Sequence, residues 1–308
     1  LSRIPTTVGS MGTNMLAEGL RSCTKLEEIN LDSLMLKDGG AQLLAEGILR
    51  MTCLKKLNLR CNSIGCKGAA HLANGLKCST AIVEIDLYGN CIEDVGALKL
   101  ADVLPNMKSL KILNLTQNNI TAVGGEGLAQ ALAHCPLVEE IHLSTNKIGD
   151  QTVRKLAEAL SKLPCLKILN LHSNALTDDG GGSLAQGLML CPSIEVISLP
   201  ENSIGNKGMM ELAMALRKMT SLKKLDLQLN RFDDSVAEEL AAGFMCCPSI
   251  EEIILEGNMI TAAGAEKLAA SLHQCSFIEV IRLWKNKISK DMEQNLQEQD
   301  SRLNFLSV

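Results

Sequence analysis

The stretch Leu54-Lys-Lys-Leu57-Asn-Leu59-Arg-Cys-Asn62-Ser-Ile64 decides the fold, because its pattern L-x-x-L-x-L-x-x-N-x-L recurs every 28 residues without an insertion. The ten repeats begin at Leu26, Leu54, Ile82, Leu110, Val138, Leu166, Ile194, Leu222, Ile250 and Ile278. Counted from that residue, position 9 is asparagine in every repeat but the first, which has Leu34. Such a regular period indicates a stack of similar units.

Each repeat is predicted to contain one strand and one helix. Positions 4 and 6, such as Leu57 and Leu59, alternate with polar residues, which is typical of a strand with one buried face. Positions 19 and 23 are apolar, which predicts a helix with one buried face. Position 20 is alanine in every unit up to Ala269, as expected where helices approach closely. The position-9 amides are predicted to bond backbone groups of adjacent turns.

These units predict an α/β fold, a curved solenoid with a parallel β-sheet on its concave face and α-helices on its convex face. Parallel strands stack about 4.8 Å apart and helices about 8 to 10 Å apart, so the mismatch should bend the stack into a horseshoe. We expect one solenoid over residues 1–308. It would comprise a partial N-terminal repeat at 1–25, ten strand-containing repeats at 26–289, and a C-terminal cap at 290–308 with polar substitutions at Gln297 and Asp300.

Composition excludes several classes of protein. With 46% hydrophobic residues, 21% charged residues and a net charge of −5, the chain is a globular protein without a basic surface for nucleic acid. No apolar stretch reaches the roughly 18 residues of a membrane span, and no signal peptide is evident. Most of the twelve cysteines fall where helix passes to strand, at positions 25 to 28, and are predicted to be buried free thiols. These features indicate a reduced, cytoplasmic environment.

The repeats resemble leucine-rich repeats of the ribonuclease-inhibitor-like class over residues 12–308. Two motifs, Asn62-Ser-Ile64-Gly-Cys-Lys-Gly68 and Leu72-Ala-Asn-Gly-Leu76, are similar to those in the C-terminal repeats of cytosolic NOD-like receptors. In that family the repeats sense ligands and hold an upstream nucleotide-binding module inactive. The resemblance implies a sensor and autoinhibitory region in innate immunity. Because the chain starts at Leu1, partway through a unit, we expect that module to lie before it.

Other members of the wider family stay open as alternatives. A stand-alone ribonuclease inhibitor resembles this chain, although its alternation of 28- and 29-residue units is missing here. A Ran-type GTPase-activating protein has less regular units and an acidic C-terminal tail that is absent here. An actin-binding module of the tropomodulin kind has far fewer units.

The sequence predicts no catalytic, cofactor or metal site. No Ser/His/Asp arrangement recurs in neighbouring units, so we expect no enzyme. The glycine-rich turns at 124–127 and 180–182 lack the Lys-Ser/Thr of a phosphate-binding loop. His142 and His172 fall at positions 5 and 7 of neighbouring repeats on the concave side. No third ligand accompanies them, so they are predicted to be partner-binding residues of the concave face and not metal ligands.

Function is therefore expected on the concave face, at positions 2, 3, 5, 7 and 8. The single Trp and the single Tyr both occupy position 7, and exposed aromatic residues are common binding anchors. The first predicted partner-binding group is Trp284 with Arg282, Lys285, Ile254 and Glu256. The second group is Tyr88 with Arg60 and Asp86. We expect a protein or microbial ligand here, and a monomer for the isolated domain.

Position 2 alternates in charge along most of the chain, as in Glu27 and Lys55 or Glu195 and Lys223. Since equivalent positions of consecutive repeats lie side by side, these residues are predicted to pair across the sheet. The alternation fails at Glu251 and Glu279, where like charges become neighbours.

Overall fold

The computed structural model describes residues 19, 20 and 23–306, so most of the expected partial repeat at 1–25 lies outside the described residues. Contacts divide the chain into two compact units, Leu1–Ile148 and Gly149–Val308. We describe each unit by itself. A single solenoid over both, and its horseshoe curvature, stay predictions.

The first unit alternates strands and helices, as the repeat predicts. In chain order its elements are β1 (Glu28–Asn30), α1 (Lys37–Ile48), β2 (Lys56–Asn58), α2 (Cys66–Leu76), β3 (Glu84–Asp86), α3 (Glu93–Val103), a 3-10 turn (Leu104–Asn106), β4 (Ile112–Asn114), α4 (Ala122–Leu132) and β5 (Glu140–His142). Its strands are parallel and pair 28 residues apart, Ile29 with Leu57 and Ile85 with Leu113. The repeat period therefore sets the register.

The second unit follows the same rule. Its elements are α5 (Gly149–Leu160), β6 (Ile168–Asn170), α6 (Asp178–Leu188), β7 (Val196–Ser198), α7 (Asn206–Leu216), β8 (Lys224–Asp226), α8 (Ala237–Phe244), β9 (Glu252–Ile254), α9 (Ala262–Leu272), β10 (Val280–Arg282), α10 (Lys290–Gln299) and β11 (Leu303–Asn304). Parallel pairing 28 residues apart continues to β10. The last pair is shorter, because Ile281 of β10 pairs with Leu303 of β11.

The core of each unit lies between its strands and its helices. Strand positions 4 and 6, such as Leu57 and Leu59, are buried, and so are the helix positions 19 and 23, such as Leu72 and Leu76. Helices of consecutive repeats approach closely: a Cβ added to Gly75 would lie 2.7 Å from the carbonyl oxygen of Ala45. The predicted fold class, α/β repeats with parallel strands, is confirmed.

Within each unit, position-9 asparagines link a repeat to the one before it. The buried Asn90 accepts hydrogen bonds on Oδ1 from the backbone N–H groups of Asn62 (3.1 Å) and Ile64 (3.0 Å). Its Nδ2 donates to the carbonyls of Leu59 and Leu87, both at 2.9 Å. The predicted backbone role of these amides is confirmed, and it leaves them no free group for a ligand.

The residue before each asparagine adopts a left-handed backbone conformation, which the sequence did not indicate. Position 8 has φ between 51° and 66° in all ten repeats: Ser33, Cys61, Gly89, Gln117, Thr145, Ser173, Glu201, Leu229, Gly257 and Lys285. Only two of these residues are glycines, which adopt this conformation without strain. At seven of the other eight, the amide bonds of the following asparagine therefore compensate a strained turn, whereas Ser33 precedes Leu34.

Five aspartates at position 13 cap the helix of the following repeat. Asp94 Oδ1 accepts from the backbone N–H groups of Thr121 (2.7 Å) and Gly124 (3.1 Å), and its Oδ2 accepts from Thr121 Oγ1 (2.6 Å). Equivalent bonds join Asp38 to Gly65, Asp150 to Thr177, Asp178 to Gly205 and Asp234 to Thr261. Burial raises the pKa of Asp94, but the bonds from Thr121 and Gly124 outweigh it and leave the pKa below its usual value.

We expect Asn118→Ala to lower the free energy of unfolding by about 3 kcal/mol, because it leaves several buried backbone groups without partners. Urea unfolding of the full chain measures the change. The control is Asn106→Ala, which removes the same amide from an exposed site bonded only to the Lys77 carbonyl, at 3.3 Å. Similar losses in both variants would show that the amide at Asn118 has no special structural role.

We expect Asp94→Ala to cost about 1 kcal/mol of unfolding free energy at pH 7 through loss of the helix cap. Because the pKa of Asp94 is lower in the folded state, its contribution is complete above the unfolded pKa of about 3.9 and is lost as the pH falls through the folded pKa. Urea unfolding at pH 7 and at about pH 3 should therefore show the difference shrinking with acid.

The control for Asp94 is Asp102→Ala, which removes an exposed carboxylate paired with Lys99 at 3.3 Å. Its effect should stay within a few tenths of a kcal/mol at either pH. A loss for Asp94→Ala that is the same at both pH values would contradict the capping role of the carboxylate.

Candidate functional site

Side chains at positions 3, 5 and 7 project from the strands on the side opposite the core. In the second unit the register aligns Asp226 of β8 with Ile254 of β9 and Ile254 with Arg282 of β10. Two residues after Arg282, the carbonyl of Trp284 accepts a hydrogen bond from the backbone N–H of Gly257 (2.9 Å), so the two segments continue side by side after the strands end. Equivalent residues of consecutive repeats thus form columns across the surface.

Trp284 is the most prominent side chain of this surface. It is 36% exposed, and the Lys285 ammonium lies 5.7 Å from the centre of its ring. An ammonium at this distance interacts favourably with the face of an indole. The structure therefore places two of the predicted partner-binding residues together, at the exposed end of the column.

Arg282 is fixed by an acidic residue that the sequence analysis did not single out. Its Nε donates to Glu252 Oε1 at 2.9 Å, and Lys224 Nζ lies 2.6 Å from Glu252 Oε2. Burial raises the pKa of Glu252, but the bonds with Lys224 and Arg282 outweigh it and leave the pKa below its usual value. Comparing charges at positions 3 and 5 of consecutive repeats would have found this cluster.

The predicted exposure of Ile254 and Glu256 is wrong. Each is only 8% exposed, although both lie on the strand side away from the core. The reason is the close spacing of parallel strands, which lets large side chains in adjacent repeats cover a residue between them. Ile254 lies between Asp226 and Arg282 in the pairing, and Glu256 precedes Trp284 in its column.

Two carboxylates of this surface bind protons more tightly than usual. Burial raises the pKa of Asp226, against a hydrogen bond from the Gln228 backbone N–H and the charge of Lys224. Burial also raises the pKa of Glu256, which Arg282 lowers while Asp226 raises it. Burial is thus the main cause of the raised pKa of both carboxylates, and the nearby cations only partly oppose it.

The second predicted group, in the first unit, is largely satisfied by its own members. The guanidinium of Arg60 lies 4.5 Å from the centre of the Tyr88 ring, and its Nη1 is 3.3 Å from Asp86 Oδ2. Asp86 also accepts a bond from the Tyr88 backbone N–H at 3.0 Å. The expected exposure of Asp86 is wrong, since the neighbouring side chains bury it. The three residues are together but already bonded to each other.

The two histidines lie in different units and each faces a carboxylate. His142 Nε2 is 3.0 Å from Glu140 Oε2 in the first unit. His172 Nε2 is 3.4 Å from Glu201 Oε2 in the second, where the alignment does not make a hydrogen bond. Within residues 19, 20 and 23–306, no group of three or more His, Cys, Asp or Glu side chains is arranged to hold a metal ion.

Charge pairing at position 2 is confirmed for Glu27 with Lys55, for Lys111 with Glu139 and for Glu195 with Lys223. Nζ to carboxylate distances are 2.9 Å for Lys55 and Glu27, and 2.7 Å for Lys223 and Glu195. These pairs are largely exposed, so each adds little stability and mainly favours the correct register.

The predicted burial of the cysteines is only partly correct. Buried thiols occur at position 26: Cys135, Cys191, Cys247 and Cys275. Cys53 and Cys165 are half-buried, whereas Cys23, Cys78 and Cys246 are exposed. Position 25 points outward where position 26 points inward, which explains Cys78 and Cys246, and Cys23 lies before the first strand. Burial raises the pKa of Cys135 to about 11 and that of Cys247 to about 12, so these thiols stay protonated.

No helix in the described part of the chain combines the length and the apolar character needed to cross a membrane.

Comparison with known proteins gives a family and a fold. The family model described as Leucine Rich repeat matches residues 50–73, 79–101, 106–129, 134–157, 162–185, 218–241 and 246–269, which is more than half of the chain. No curated protein matches the sequence.

Two solved structures share the fold at low sequence identity. A chain of the octameric complex of Latrophilin 3, Unc5D and FLRT2 (LRR) aligns with TM-score 0.52 and 16% identity, over 93% of this chain and 87% of that one. A chain of the mouse RP105/MD-1 complex aligns with TM-score 0.52 and 19% identity, over 91% of this chain and 47% of that one. With the family model and the 28-residue register, these observations show that the chain belongs to the leucine-rich-repeat family.

Proposed function

We propose that this chain is a protein-interaction domain that binds a partner through the exposed strand surface of its second unit. The observation that carries the proposal is Trp284, which is 36% exposed. It lies beside Arg282, which is ion-paired with Glu252, and the Lys285 ammonium is 5.7 Å from the centre of its ring. Trp and Arg are the residue types most often found at the energetic centre of protein interfaces. The ion pair with Glu252 holds Arg282 in place before a partner arrives, which reduces the entropy lost on binding.

The surface suits binding better than catalysis. Lys224, Glu252 and Arg282 are joined in ion pairs, and the position-9 Asn258 is used for the backbone. No nucleophile on it is activated by a neighbouring base in the part of the chain that the structure describes. We therefore propose a binding protein that acts as a monomer, with no cofactor.

At the level of subfamily, we propose the ligand-sensing and autoinhibitory repeats of a cytosolic NOD-like receptor. Support comes from the uninterrupted 28-residue units and from the two motifs that resemble that family. In the structure these motifs have packing roles: Ile64 and Leu72 are buried, and a Cβ added to Gly68 would lie 2.6 Å from Asp38 Oδ1. The solved relatives occur in protein complexes, which supports a protein partner in general.

We expect Trp284→Ala to abolish partner recovery from cells. The full chain, cross-linked in cells of its source and captured by a tag, should lose its specific partners by at least about tenfold, because a buried aromatic anchor contributes about 2 kcal/mol or more. Mass spectrometry of the captured proteins measures the loss.

The matched control is Phe277→Ala. Phe277 is 56% exposed and lies in the helix-to-strand turn, away from the strand surface. The substitution therefore removes a similar exposed aromatic group from a different part of the protein. It should leave the recovered partners unchanged. If both variants recover the same partners as the unmodified chain, binding does not use this surface.

The source transcript tests the subfamily. We expect an open reading frame upstream of Leu1 that encodes a G-x-x-x-x-G-K-[ST] loop, since such receptors carry a nucleotide-binding module there. A start codon within one or two repeats would contradict the receptor assignment. Inhibition of a pancreatic-type ribonuclease, or acceleration of GTP hydrolysis by Ran, would then identify one of the two alternatives.

A further inference from the structure

The acidic strand surface, which we define as Asp226, Glu252 and Glu256, has one negative charge more than its cations balance. Glu252 takes both of the nearest cations, with Lys224 Nζ at 2.6 Å and Arg282 Nε at 2.9 Å. The three carboxylates therefore share two permanently charged cations, and Asp226 also interacts with His172. A surface that lacks one positive charge favours a ligand that supplies one.

The negative charge that no cation pairs with is that of Glu256. Glu256 is only 8% exposed. Its carboxylate nevertheless accepts no hydrogen bond and forms no ion pair with any residue that the structure describes. Its electrostatic neighbours are Arg282, which Glu252 already binds, and the like-charged Asp226 and Glu252. Among the described residues the buried side-chain polar atoms without a hydrogen-bond partner are Ser144 Oγ and His172 Nε2, so the Glu256 oxygens still reach solvent and the carboxylate is only partly desolvated.

The indole ring of Trp284 lies next to the acidic strand surface. Trp284 follows Glu256 in the position-7 column, and its ring already has the Lys285 ammonium 5.7 Å from its centre. A planar guanidinium can stack on an indole while its N–H groups bond a carboxylate, which an ammonium does less well.

We propose that the acidic strand surface and Trp284 bind one arginine side chain of a protein partner. The guanidinium would bond the Glu256 carboxylate, with Asp226 as a second negative charge and the indole as a stacking face. This proposal rests on the proposed function and adds the chemical class of the group that is recognised. A divalent metal fits less well, because Glu252 is already occupied by two cations and the described residues hold no three-ligand group.

The test uses the only tryptophan of the chain as the reporter. The 308-residue chain is titrated with N-acetyl-argininamide and followed by the indole N–H resonance of Trp284. The neutral isostere N-acetyl-citrullinamide is titrated in parallel. We expect a saturable shift in the millimolar range with the arginine compound, as for a single side chain without the remainder of a partner, and none with the citrulline compound.

Two variants assign the binding. Glu256→Gln keeps the shape of the side chain and should weaken binding by about tenfold, and Asp226→Asn should weaken it less. The matched control is Glu266→Gln, which removes an equal charge from an exposed position of α9. Thermal unfolding of each variant checks that it is folded.

Equal shifts with the two compounds, or unchanged binding in Glu256→Gln, overturn the arginine site. If Trp284→Ala still abolishes partner recovery in that case, the proposed interaction surface stands and only the class of the recognised group is wrong. If Trp284→Ala has no effect on partner recovery, the proposed function fails independently of the titration.

Discussion

The hydrogen bonds from each position-9 asparagine to the backbone of the preceding repeat are the interaction on which the other features depend. Asn90 bonds two N–H groups and one carbonyl of the repeat before it, and two carbonyls of its own repeat. These groups lie where the strand ends and no ladder bond reaches them. The amide enters the core because the preceding residue is left-handed, so the strained turn and the ladder require each other. Once both are set, the 28-residue register follows.

The register explains why so much of the fold follows from the sequence. Strands, helices and the ladder all repeat with the same 28-residue spacing, so the strand pattern is seen ten times and the ladder asparagine nine times in one chain. What the sequence did not reveal depends on geometry between repeats. The left-handed residue has no consistent identity, as Cys61 and Leu229 illustrate. The Asp94 cap reaches the helix of the next repeat, whereas capping patterns are usually sought within a few residues. The burial of Glu256 depends on side chains 28 residues away.

The same geometry arranges the surface in columns. Each side chain has as its main neighbours the side chains at the same position of the preceding and following repeats. Where signs alternate, as at Glu27 and Lys55, the charges pair and the surface is satisfied. Arg60, Asp86 and Tyr88 satisfy one another in the same manner. The sequence located Tyr88 and Trp284 equally well, because both stand at position 7. The sequence could not distinguish the two sites. They differ in whether side chains of the neighbouring columns form hydrogen bonds and ion pairs with all the charged groups beside the aromatic ring.

That difference bears on where a partner gains most. Binding at Tyr88 must first separate Arg60 from the ring and from Asp86, so new contacts replace existing ones. At Trp284 the ion pairs centred on Glu252 stay intact while the Glu256 carboxylate lacks a bond. Burial in the free protein has already desolvated the Glu256 carboxylate in part, and folding, stabilised by the asparagine ladder, bears that cost. A cation brought there by a partner therefore interacts with a partly desolvated charge and removes less water from it than from a fully exposed carboxylate.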